Sequence, residues 1–263
     1  MGLFNRYKKN SLIKRGVELE NQGKYEEALN CYDKIILELD PGYAKAWYNK
    51  GVIFGKMGKV KEALECYNKT IKLNPEYFEA FVNKGVELKQ FGEYEDAIEC
   101  YDKALNSNSN CFEAWYNKGF AFAKLGEYVE AIESYDKALG VDPENVGAWN
   151  NRGSALIYVG EYVEAINSYD KALELDSKET EAWYNKGFAF AKLGRYVDAI
   201  ESYDKALELD PQKIEALFNK GAAFVKLGKY REALKNLDKT LELNPNCENA
   251  LEIKKLILKA LKK

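Results

Sequence analysis

Residues 113–143 read EAWYNKGFAFAKLGEYVEAIESYDKALGVDP, and the spacing of their small and large side chains decides the fold. Apolar residues return at helical intervals on either side of a single break at Gly126. A glycine placed there is where a helix ends in a left-handed residue, so the stretch predicts two helices joined by a tight turn. Gly119 and Ala131 are small, which lets two antiparallel helices approach closely. Trp115 and Tyr135 are large and fill the space beside them. Pro143 marks the end of the second helix, since proline cannot continue one.

The same pattern runs through the chain. Gly16, Gly51, Gly85, Gly119, Gly153, Gly187 and Gly221 are separated by 35 residues once and by 34 thereafter. A second glycine series (Gly23, Gly58, Gly92, Gly126, Gly160, Gly194, Gly228) and an alanine series (Ala28, Ala63, Ala97, Ala131, Ala165, Ala199, Ala233) keep the same phase. With the first glycine as position eight, seven units begin at residues 9, 44, 78, 112, 146, 180 and 214. Trp47, Trp115, Trp149 and Trp183, with Phe81, occupy position four; tyrosine holds position 24 from Tyr32 to Tyr203. The one extra residue lies near the end of the first unit's second helix, where KIILELDP stands in place of KALELDP.

This framework of Trp, Gly, Tyr, Ala, Tyr, Ala and Pro resembles the tetratricopeptide repeat (TPR) over residues 9–247. The resemblance implies an all-α fold: a right-handed superhelical solenoid of seven helix–turn–helix units. The expected division is an N-terminal extension (1–8), units at 9–43, 44–77, 78–111, 112–145, 146–179, 180–213 and 214–247, and a C-terminal solvating helix (248–263). That last segment, ENALEIKKLILKALKK, alternates leucine and isoleucine with lysine and suits a cap over the final unit. Position seven departs from the family's usual leucine: it is Arg15, Lys50, Lys84, Lys118, Arg152, Lys186 and Lys220. Their stems are expected to pack while the charged heads reach a carboxylate.

Composition narrows the function. The chain has 263 residues, 46% apolar and 31% charged, with a formal charge of -3, which gives no general field for drawing in nucleic acid. No apolar run approaches membrane-spanning length, the first residues lack a secretion signal's apolar core, and a cytoplasmic location is expected. Gly2 invites a myristoylation reading, but Arg6 stands where that motif wants Ser or Thr. Five cysteines (Cys31, Cys66, Cys100, Cys111, Cys247) show no C-x-x-C spacing and read as reduced, partly buried thiols. Histidine is absent, which removes the commonest general base and zinc ligand, and the acidic residues recur on helix surfaces as a solubility pattern. Every glycine of the series belongs to the repeat, leaving no phosphate-cradling loop. No enzyme activity, cofactor or metal is expected.

In the family, positions two, five, six, nine, twelve and thirteen look into the concave side. Position six is Lys14, then Asn49, Asn83, Asn117, Asn151, Asn185 and Asn219. A carboxamide both donates and accepts, so such a ladder suits either a guest's peptide bonds or the neighbouring unit. The resemblance extends to the asparagine ladders of O-GlcNAc transferase and armadillo proteins, which grip an extended backbone. Position five offers Tyr48, Tyr116, Tyr184 and Phe218, interrupted by Val82 and Asn150; position nine offers Phe120 and Phe188, with Ser154 among the smaller residues. Position thirteen supplies Lys56, Lys124, Lys192 and Lys226, interrupted by Gln90 and Tyr158. Aromatic platforms with a lysine edge suit an extended protein segment bearing apolar and acidic residues. The co-chaperone carboxylate clamp is excluded, since position five is never lysine and position nine never asparagine. An adaptor or scaffold holding a protein or peptide is therefore expected, with homotypic assembly through the repeat ends or the convex face, giving end-to-end self-association, as the alternative. Stacking of single-stranded RNA on the tyrosines is a weaker alternative, separable by its steep salt dependence.

Overall fold

The computed structural model describes residues 2–261, with side chains from Arg6 onward. Met1, Lys262 and Lys263, the outermost residues of the expected extension and terminal helix, lie outside the described residues. The chain divides into two compact halves, Met1–Glu127 and Tyr128–Lys263. The first carries α1 (Gly2–Asn21), α2 (Tyr25–Lys34), α3 (Ala44–Lys56), α4 (Val60–Leu73), α5 (Phe78–Gln90), α6 (Tyr94–Ser107) and α7 (Phe112–Leu125). The second carries α8 (Tyr128–Val141), α9 (Val146–Val159), α10 (Tyr162–Leu175), α11 (Thr180–Lys192), α12 (Tyr196–Leu209), α13 (Ile214–Lys226), α14 (Tyr230–Leu243) and α15 (Glu248–Ala260). The fold is all-α, with no strand among the described residues. Residues 2–8, the expected extension, are helical and run on into α1, with no glycine or proline between Leu3 and Arg15.

Hairpins α1–α2, α3–α4 and α5–α6 pack in series in the first half, and α9–α10, α11–α12 and α13–α14 in the second. Each hairpin closes on one contact. A Cβ built on Gly51 would lie 2.6 Å from Tyr67 Cε1, one on Gly85 2.6 Å from Tyr101 Cε1, and one on Gly187 2.7 Å from Tyr203 Cε1. The six tyrosines of that column are 2% exposed or less, and Leu237 replaces them in the last hairpin. The turn between helices is just as constrained. Gly160 sits at φ 88°, and the Glu161 N–H reaches back to the Leu156 carbonyl at 3.0 Å, closing the end of α9.

The extra residue of the first unit is absorbed by helix geometry. At the ends of α4 and α10, Asn74 and Asp176 donate their N–H to residues four back, Thr70 and Ala172, each at 2.8 Å. After α2 the chain makes a π turn over Ile35–Leu39, and the Asp40 N–H bonds the Ile35 carbonyl five back at 2.7 Å. Ile35 and Ile36 stay buried while Leu37 is 78% exposed, so the insertion bulges outward and the core keeps its phase.

Successive units are joined by polar contacts that repeat with the sequence. The indole N–H groups of Trp47, Trp149 and Trp183 donate to the carbonyls of Pro41, Pro143 and Ser177 in the preceding loop, at 2.9–3.0 Å. Position seven finds its carboxylate one unit back: Lys50 on Asp33 at 2.6 Å, Arg152 on Asp136 and Lys186 on Asp170 at 2.5 Å, with Lys118–Asp102 and Lys220–Asp204 in the same register. The helix α15 continues the series through Lys254 and Asp238 at 2.6 Å, and rests on α14 through buried Ala250 and Ile257. Lys84 breaks it, because Asn68 stands where the other units have aspartate. All five cysteines are unpaired and four are buried; burial pushes the Cys66 thiol up to about 12. No helix among the described residues is long and apolar enough to cross a membrane.

Gly85→Ala should lower stability by about 1–3 kcal/mol, because the Tyr101 ring has no room to retreat. Asn68→Asp should raise it by about 0.2–1 kcal/mol by completing the missing ion pair. Urea denaturation followed by circular dichroism measures both; an unchanged midpoint for the alanine variant would refute the close-approach argument.

Candidate functional site

The inward positions lie on the first helix of each hairpin, and within each half the structure shows what their side chains touch. The asparagines do not act alike. Asn83 Nδ2 donates to the Tyr48 hydroxyl at 3.0 Å, and Asn219 Nδ2 to the Tyr184 hydroxyl at 3.0 Å, each joining position six to position five of the unit before. Where position five is Val82, the next asparagine turns elsewhere: Asn117 Nδ2 donates to the Glu113 carbonyl at 2.7 Å and its Oδ1 accepts from Lys89 Nζ at 2.7 Å. Asn49 is buried, beside the Tyr32 hydroxyl. Asn185 is half-buried and makes no hydrogen bond among the described residues. Asn151 is half-buried.

The aromatic positions are partly absorbed by packing. Tyr48 lies 4.9 Å from the Tyr77 ring and 6.1 Å from Tyr67; burial raises its phenol, and pushes Tyr77 up to about 12. Tyr116 stacks on Phe112 at 5.6 Å. Tyr184 packs beside Tyr203 at 6.0 Å, with the Lys213 ammonium 5.0 Å from its ring and burial raising its phenol. Phe218 packs into the core of the last hairpin.

The lysine edge divides similarly. Lys56 is paired with Glu20 at 2.7 Å. Lys124 and Lys89 both lie over Phe120, 5.2 and 5.1 Å from its centroid, and Lys192 lies 5.0 Å over Phe188. Lys124, Lys192 and Lys226 have no carboxylate within 4.0 Å among the described residues. Lys89, which the positional reading passed over, is half-buried, and burial lowers its pKa.

Four predicted residues of the second half converge on one cavity of about 400 Å³ between α9, α10 and α11. Tyr184, Asn185, Phe188 and Lys192 line it from α11, facing Ser154, Ile157 and Tyr158 of α9 and Tyr162 and Tyr169 of α10. Tyr158 is 69% exposed and stacks on Tyr128 at 4.3 Å, forming a flat rim. Ser154 Oγ lies 3.3 Å from the Tyr169 hydroxyl and donates to the Asn150 carbonyl at 3.0 Å. No carboxylate lines the cavity. Its cause is legible afterwards in the sequence: unit five has Asn150 and Ser154 where unit six has Tyr184 and Phe188, so two ring positions on one helix face are empty.

A buried carboxyl also escaped the positional reading. Position ten is an exposed Glu18 in the first unit and Ile53, Ala121, Ala155, Ala189 and Ala223 in five others, but in α5 it is Glu87, 7% exposed, lying against Gly55 and near Tyr67. It has no ion-pair partner among the described residues, and burial raises its pKa. The folded state therefore holds this proton more tightly than the unfolded chain. Its stabilising contribution is complete below the ordinary glutamate pKa and is lost as pH rises through the raised value. Glu87→Gln should be more stable than the parent at pH 7.5, with the gain shrinking toward about pH 4. A pH-independent difference in thermal midpoint would refute this.

Stacked two-helix units that bury one another's faces define a helical-repeat protein. Models of the tetratricopeptide repeat match residues 44–77, 112–145, 180–213 and 214–247, and a related TPR repeat model matches 19–58, 85–126 and 154–194. The chain belongs to the tetratricopeptide repeat family. Among solved structures it is similar to YrrB, described as a TPR protein with an unusual peptide-binding site, at 30% identity over 73% of this chain and 100% of that one, TM-score 0.66. It is similar to MamA at 28% identity over 63% of this chain and 96% of that one, TM-score 0.60. The C-terminal part of a TPR repeat-containing protein from Cytophaga hutchinsonii shares the fold at 19% identity, over 91% and 98% of the two chains, TM-score 0.75. Comparison with curated proteins returns no match.

Proposed function

We propose that the protein is a non-enzymatic adaptor that holds an extended segment of another protein on its first-helix face, anchored in the cavity between α9, α10 and α11. The observation that carries this reading is the coincidence of an unpaired carboxamide, Asn185, with ring walls and a lysine free of carboxylates, in a cavity of about 400 Å³. An aromatic or aliphatic side chain gains by leaving water for such walls, and a neighbouring acidic residue gains from Lys192. The likeness to YrrB, itself described as having a peptide-binding site, supports the same reading. Asn83 and Asn219 then serve register between units, since their amides are held by tyrosines.

The test compares proteins retained from native cell extract by the tagged chain and by its Phe188→Ala, Asn185→Ala double variant. Specific partners should fall at least about tenfold with the variant, and should persist when salt is raised from 0.05 to 0.5 M, whereas nucleic-acid retention would drop steeply. Partners retained equally by both proteins would remove this cavity from the account.

A further inference from the structure

The cavity between α9, α10 and α11 adjoins a first-helix interface that lacks the tyrosine found in two others. Where first helices of consecutive units meet in α3/α5 and in α11/α13, a position-five tyrosine hydroxyl receives the position-six amide of the next unit: Tyr48 from Asn83 and Tyr184 from Asn219, both at 3.0 Å. The α9/α11 interface holds the same amide donor, Asn185, but position five is Asn150, whose shorter side chain presents no ring. The Asn185 amide lines the cavity and makes no hydrogen bond among the described residues, whereas Asn150 Oδ1, also without a partner, is enclosed and off the lining. One turn further along α9, Ser154 replaces the phenylalanine of α11, which extends the vacancy into the cavity walled by Tyr158, Tyr162, Tyr169 and Phe188.

We propose that this cavity receives a tyrosine side chain from the bound segment, which takes the place that Tyr48 and Tyr184 occupy in their own interfaces. The inference rests on the adaptor reading above and names its ligand class. A phenol hydroxyl accepts as well as donates, so it accepts from Asn185 Nδ2 as Tyr48 and Tyr184 accept from Asn83 and Asn219. Phenylalanine or leucine would fill the same walls and leave the Asn185 amide without that bond, which carries a desolvation cost. Lys192, 5.0 Å over Phe188 and without a carboxylate within 4.0 Å, favours an acidic residue beside the tyrosine. A phosphotyrosine fits poorly, since Lys192 is the one cation on the lining.

The experiment titrates the full chain with acetyl-Gly-Asp-Tyr-Asp-Gly-amide, its phenylalanine counterpart and its phosphotyrosine counterpart, read by calorimetry or amide chemical shifts. The parent should bind the tyrosine peptide roughly three- to tenfold more tightly than the phenylalanine peptide, as expected for one hydrogen bond. Asn185→Ala should erase that preference. Asn150→Tyr should place a ring in the cavity from within the chain, weaken all the peptides at least about tenfold, and leave the thermal midpoint equal or higher. Should that variant fail to fold, the tyrosine-to-phenylalanine ratio in the parent and in Asn185→Ala decides alone. Equal binding of the two unphosphorylated peptides by the parent, tighter binding of the phosphopeptide, or no binding of the tyrosine peptide at millimolar concentration overturns the proposal. The adaptor reading stands or falls separately, by the retention experiment with Phe188→Ala, Asn185→Ala.

Discussion

A tyrosine ring lies flat against a helix at the one residue that has no side chain, and the same contact recurs from Gly16–Tyr32 to Gly187–Tyr203. It sets the distance between the two helices of a hairpin, because a methyl group at the glycine would overlap the ring. It also demands that the tyrosine be wholly enclosed, and two of its hydroxyls, on Tyr101 and Tyr203, are buried without a hydrogen-bond partner. Leaving a phenol unpaired is costly, so the packing gained by the ring must outweigh that loss at each of these sites. The π turn after α2 shows how strongly the phase is held: an added residue is pushed out to solvent at Leu37, and the contact is undisturbed.

Polar contacts between units build on that spacing and are individually weak. Partly exposed lysine–aspartate pairs contribute at most about 1 kcal/mol each. Their register matters more than their strength. The cations of position seven at Lys50, Lys118, Arg152, Lys186 and Lys220 each sit over an aromatic residue of their own helix (Lys186 at 5.1 Å from Trp183 and 5.8 Å from Phe190) and reach one unit back. The basic residue at a position where the family prefers leucine thus serves both as packing stem and as connector. The Trp indole bonds to the preceding loop do the same at the other end of the interface.

The proposed binding site lies where the repeat is broken. Two asparagine amides bound to tyrosines are interior parts of the array, and a third is held by its own helix and Lys89. Asn185 keeps its bonding capacity because Asn150 has replaced the ring that would have claimed it. A position-by-position average of the units hides this, since the informative residues, Asn150, Ser154 and Tyr158, appear there only as gaps in the aromatic series.

The all-α fold, the hairpins, the left-handed glycines and the place of the extra residue were legible in the sequence, because each depends on contacts between residues a fixed short distance apart in a chain that repeats itself. The carboxylate partner of position seven was not, since aspartate occurs on several faces and only packing selects the one on the preceding unit. The uses of the asparagines were not legible either: identical side chains at identical positions diverge according to what position five of the neighbouring helix supplies. That choice is made by side chains meeting across an interface, and only tertiary structure brings them together.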